Sequence, residues 1–103
     1  MIGLGTWEAA INTMIFRGTG RVTISDVNGE YDFKFELVGE NLPDITVKDI
    51  EEDGDTLTAV GECEAFPGKE IPVSVTFDED TFVGIFKLPF VGKIKLNGHK
   101  IAD

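Results

Sequence analysis

The chain's single cysteine, Cys63, and single histidine, His99, are its obvious candidates for nucleophile and base. Such a pair works only within hydrogen-bond reach. These two fall on separate segments, toward opposite ends of the pattern described below, so they do not form one. Cys63 reads instead as a small buried hydrophobe, and His99 as a polar residue near the chain's end, close to a tryptophan. Two acidic clusters, Glu51-Glu52-Asp53-Asp55 and Asp78-Glu79-Asp80, bring together oxygens of the kind Ca²⁺ takes. Neither has the spacing of an EF-hand loop, and acidic hairpin turns are common. No glycine-rich phosphate loop opens a helix, and no Cys/His set has metal-ligand spacing. The expectation is a protein that is not an enzyme and uses no metal or cofactor.

Composition narrows the class. At 103 residues there is room for one domain, spanning 1–103, with a small core. An apolar content of 42% is that of a globular chain, despite a formal charge of −10. So acidic a surface repels phosphate backbones, which argues against nucleic acid and anionic membranes as partners. A lone cysteine makes no internal disulfide. Met1-Ile2-Gly3-Leu4 is too short and uncharged for a signal peptide, and no apolar run reaches membrane-spanning length. The cytoplasm is the expected compartment.

The elements that must position any site alternate with period two. Trp7, Ala9 and Ile11 open the pattern, followed by Val22 and Ile24, then Tyr31, Phe33, Phe35 and Leu37. Ile45 and Val47 come next, then Leu57, Ala59, Gly61 and Cys63, and then Ile71, Val73, Val75 and Phe77. Phe82, Gly84 and Phe86 form a seventh set, and Ile94 and Leu96 an eighth. Such alternation marks strands with one buried face, and no stretch has a helical apolar period. Eight short strands with short turns predict an all-β, eight-stranded antiparallel up-and-down β-barrel, since closure removes exposed edges. Ile50 falls out of phase with Ile45 and Val47, which predicts a bulge. Pro72 conflicts mildly with a ladder and stands near a strand start.

Three acidic turns begin at Asp26, Glu52 and Asp78, a constant spacing, and proline-bearing breaks at Pro43, Pro67 and Pro89 fall between them. Asn28-Gly29 and Asp53-Gly54 are hairpin turns by composition. Up-and-down winding therefore collects the acidic turns at one end, the base. Apolar residues of the other connections, among them Phe16, Leu42, Phe66 and Phe90, collect at the opposite rim, which is either a ligand mouth, a protein contact or an inward-folded plug.

Gly5-Thr6-Trp7, opening the first strand, resembles the calycin superfamily of small barrels, which includes lipocalins, fatty-acid-binding proteins and avidins. The resemblance implies that Trp7 seals the closed end of the barrel and that a basic side chain of the last strand crosses it. Lys95, His99 and Lys100 are placed for that role, with Lys95 and His99 taken as barrel-closing partners of Trp7. The chain is shorter than a typical lipocalin and lacks the helical lid of a fatty-acid-binding protein and the aromatic box of an avidin. It is most similar to compact lipocalin-like domains.

A barrel of this kind implies a hydrophobic small molecule as partner. Ala59, Gly61, Cys63 and Ala65 give a thin wall, facing a lining of Phe33, Phe35, Phe77 and Phe86 reached through the rim. Alternatively those phenylalanines cross the gap and fill it, and the short chain favours a mostly filled interior. Strand seven, Phe82 to Phe86, is apolar on both faces, so Val83 and Ile85 point outward and suggest a homodimer. Lys93 and Lys95 add a basic stripe beside them. Two functions remain open: a binding module for a hydrophobic molecule, or an interaction domain with a filled core that self-associates through strand seven.

Overall fold

A computed structural model describes residues 1–12, 17–39, 45–64, 66–89 and 92–103. The alternating segments are eight strands: β1 (Gly5–Asn12), β2 (Arg17–Val27), β3 (Glu30–Leu37), β4 (Ile45–Asp53), β5 (Thr56–Cys63), β6 (Ile71–Asp78), β7 (Thr81–Leu88) and β8 (Gly92–Ala102). They form one antiparallel sheet in the order β3-β2-β1-β8-β7-β6-β5-β4. No helix occurs among the described residues, so none is long and apolar enough to cross a membrane. The molecule is an all-β, nearly closed barrel.

Register puts every apolar set named above on the inner face. Trp7 lies opposite Val22, Val22 opposite Phe35, Val75 opposite Gly84, and Gly84 opposite Leu96. The turns follow from local chemistry. Asn28 and Gly29 both take positive φ, 54° and 84°, the conformation a tight hairpin demands. The Asp26 carboxylate accepts a hydrogen bond from the Gly29 amide at 2.8 Å. The bulge expected near Ile50 lies between Lys48 and Glu51, where the pairing with β5 shifts and Asp49 adopts a φ of 54°. The extra residue returns Ile50 to the interior, where it packs against the core. Pro72 sits second in β6, opposite Val60, next to the last pair of that ladder.

Closure departs from an ideal barrel in two places. The β1–β8 seam is paired only from Thr6 to Ala9, opposite Ala102 to Gly98, with a bulge between Thr6 and Trp7. Strands β3 and β4 do not pair. Along nearly their whole length their Cα atoms stay more than 8 Å apart, whereas paired strands lie about 4.7–4.9 Å apart.

The core is concentrated at the base. Trp7, Ala9, Ile24, Leu57, Phe77 and Phe82 form one buried cluster, with Trp7 only 2% exposed. The indole meets Phe77 at a centroid distance of 4.9 Å and Phe82 edge-on at 5.7 Å, geometries that aromatic pairs favour. Its Nε1 donates to the Gly3 carbonyl oxygen at 2.9 Å, so the one polar atom of the side chain is satisfied. Glycines let these rings approach the backbone. A Cβ at Gly98 would overlap the Phe82 ring and lie 2.5 Å from the Glu8 carbonyl oxygen across the seam. At Gly61 the nearest atom to an added Cβ is 3.7 Å away.

Three substitutions test this picture by urea unfolding. Trp7→Ala should cost about 3–5 kcal/mol. Gly98→Ala should cost about 1–3 kcal/mol, because the obstructing atoms include backbone that cannot move cheaply. Gly61→Ala, the same chemical change on the loose wall, should stay within about 0.5 kcal/mol of the parent.

Candidate functional site

Above the Trp7 cluster most inward side chains are only partly buried, Ile71 at 8% exposure being the exception. Ile11, Phe35, Leu37, Val47, Ala59 and Phe86 all point inward yet remain partly exposed, and none belongs to the buried cluster or packs against it. No side chain among the described residues falls below 2% exposure. An added Cβ at Gly84 would touch the Phe82 ring at 3.6 Å and one at Gly61 the Ile71 carbonyl oxygen at 3.7 Å, ordinary contacts, whereas one at Gly20 would lie 2.6 Å from the Ile11 side chain.

An aromatic ladder runs along the inner face of β3. Tyr31 stacks on Phe33 with centroids 5.9 Å apart and planes at 21°, and Phe33 on Phe35 at 6.4 Å and 11°. The ladder exists because β3 alternates Tyr, Phe and Phe on its inner face, placing their rings in sequence along the strand. It runs beside the unpaired β3–β4 side. At the base that side is tied by the Tyr31 hydroxyl, which donates to the Glu52 carboxylate and accepts from the Ile2 amide at 2.9 Å. Desolvation, and then the hydrogen bond to Glu52, hold the Tyr31 phenol above its ordinary pKa.

The residues expected to bind a ligand separate into groups. Phe35 and Phe86 point inward above the Trp7 cluster and are partly buried, and Phe33 packs against the edge of the core. Phe77 is buried in the floor against Trp7 and is not available as lining. Phe66 lies in the β5–β6 connection, at the end opposite the acidic turns. It lines a cleft of about 540 Å³ with Thr46, Glu62, Cys63, Lys69 and Glu70. Beside that cleft the Lys48 ammonium bridges Glu62 and Glu70 at 2.7 and 2.8 Å, which raises its pKa while it stays in water. Phe16, Leu42, Phe90 and Ala65 lie outside the described residues.

The basic group over the tryptophan requires a correction. Lys100 occupies that position, its Nζ 5.6 Å from the indole centroid. Lys95 and His99 are exposed on the outer face, where His99 stands opposite Glu8 and Thr81. Strand parity is the reason: Ile94, Leu96 and Gly98 face inward, so Lys100 does too, and the residues between them cannot. That signal was present in the alternation. Cys63, partly buried, ends β5, which does not pair with the strand of His99. Among the described residues no group of three or more His, Cys, Asp and Glu is gathered to hold a metal ion.

No protein-family model, curated protein or solved structure matches this chain.

Tyr31 is the only tyrosine, so its phenolate absorbance in the ultraviolet titrates one site. The midpoint should lie above the ordinary value of about 10, and Glu52→Gln should lower it. Because the folded-state pKa is raised, the stability Tyr31 contributes is fully present below about pH 10 and disappears as pH rises through the folded-state value. A midpoint equal to that of the urea-unfolded chain would refute the tie.

Proposed function

We propose that this protein is a non-enzymatic, calycin-like barrel that takes an uncharged hydrophobic small molecule into the interior above the Trp7 cluster. The observation that carries this reading is the contrast within one barrel. The floor is packed to the backbone, while most apolar side chains above it, Ile71 apart, face inward and remain partly exposed. Apolar surface held in that state gains from an apolar guest by roughly 25 cal/mol per Å² covered.

The chemistry of the lining selects the guest. The inward residues described there, including Ile11, Phe35, Val47, Val73, Phe86 and Ile94, carry no charge. A carboxylate drawn among them would lose its water without a partner, so the guest is neutral or keeps its polar end outside. The unpaired side between β3 and β4 is the favoured way in, with the Phe33–Phe35 ladder as the surface met first. Support for the calycin reading comes from Gly5-Thr6-Trp7 at the opening of β1 and from Lys100 of the last strand above the indole. A free cysteine and an acidic surface fit a cytoplasmic setting.

Thermal unfolding with and without retinol, long-chain alcohols and fatty acids tests the reading. A ligand at a hundredfold excess over its Kd adds about 2.7 kcal/mol, which for a domain this small raises Tm on the order of 10 °C. Neutral compounds should shift Tm more than carboxylates of equal length. Ala59→Phe, which fills the space, should remove the shift while leaving the unliganded protein folded. If no hydrophobic compound moves the transition, the reading fails.

A further inference from the structure

The outer face of β7 and β8 has a gradient that the interior does not explain. At the base end it begins with the acidic β6–β7 turn, Asp78, Glu79 and Asp80, all exposed. In the middle stand Val83 and Ile85, 36% and 38% exposed. At the far end are Lys87 and Lys93, with Lys95 beside Ile85, all three exposed. Lys87 lies directly opposite Lys93 in the ladder, a like-charge pairing that destabilises a sheet. Among the described residues none of these three lysines takes part in an ion pair. On a chain of charge −10, cations placed against one another beside exposed apolar side chains call for an anionic cover.

The geometry points to a second copy of this chain as that cover, packed face to face in antiparallel orientation. Two twofold arrangements could bury Val83 and Ile85. An axis running along the strands would set each lysine cluster against its own copy, which is repulsive. An axis across the strands reverses one copy and brings each cluster over the other's acidic turn. Val83 lies midway between Lys87 and Glu79 in the chain, so the axis crosses near it and the two Val83 side chains meet at the centre. At about 3.4 Å per residue, lysine and acidic ends then lie at comparable distances from the axis, and both charge contacts form together. Strands β6, β7 and β8 are paired along their length and offer a continuous sheet surface, of the kind that packs on another sheet. The isologous contact is closed, so it stops at two. It does not depend on whether the interior holds a guest.

Sedimentation equilibrium of the full chain tests this, with two charge-reversed variants. Lys87→Glu with Lys93→Glu should weaken dimerisation at least tenfold, and so should Asp78→Lys with Asp80→Lys. Mixed in equal amounts, the two variants should form a heterodimer, because the two glutamates introduced in one then face the two lysines introduced in the other, and at the opposite end the native acidic turn faces the native lysines. That restoration also shows that each variant is folded. Higher salt should weaken the wild-type dimer. A wild-type chain that stays monomeric at several hundred micromolar overturns the proposal. So does a dimer indifferent to both reversals, or a monomer that instead sediments with phosphatidylserine vesicles, which would assign the face to a membrane surface.

Discussion

The Trp7 indole, held against Phe77 and Phe82, is the contact on which the rest of the barrel depends. It joins the first strand to the sixth and seventh, far apart in the chain, and does so where the β1–β8 seam is paired. Glycine at position 98 is what permits it, by letting the Phe82 ring lie against the seam. The polar atom of the indole is satisfied by Gly3, whose segment crosses the base and places Ile2 in the core. One aromatic cluster thus fixes the floor, the seam and the course of the residues ahead of β1.

A floor packed this well sets the terms for the half above it. A chain of this length has a limited supply of large apolar residues, and several of them are committed to the base. What remains for the upper interior is Phe35 and Phe86, aliphatic residues such as Ile11, Val47, Ile71 and Ile94, and the small Ala59 and Gly61.

Most of the fold could be read from local pattern because antiparallel neighbours in a meander are also neighbours in sequence. Period-two alternation gave the inner face of every strand, and the phase slip at Ile50 exposed the bulge. Asn28-Gly29 specified its turn without help from the rest of the chain. Non-local features were harder to read. Nothing in β3 or β4 alone announces that they fail to pair, since that depends on how the whole sheet curves. Lys95 and His99 were set beside Trp7 by proximity in the chain, although parity already favoured Lys100. The Tyr31–Glu52 tie was hidden because Glu52 turns inward only after the bulge shifts its phase. For the site itself, residue type indicated apolar lining, but packing separated Phe77 in the floor from Phe35 and Phe86 above it.

The partial seam has a mechanical consequence. The start of β1 and the end of β8 lie side by side at the base, and the bulge between Thr6 and Trp7 interrupts their pairing at that end. A pull applied at these two points would not shear the ladder, loading all its hydrogen bonds at once. It would peel the seam from the bulge inward, one pair at a time, until the strain reached Trp7. The barrel should therefore yield to modest force along this direction, with the tryptophan cluster as the first real resistance.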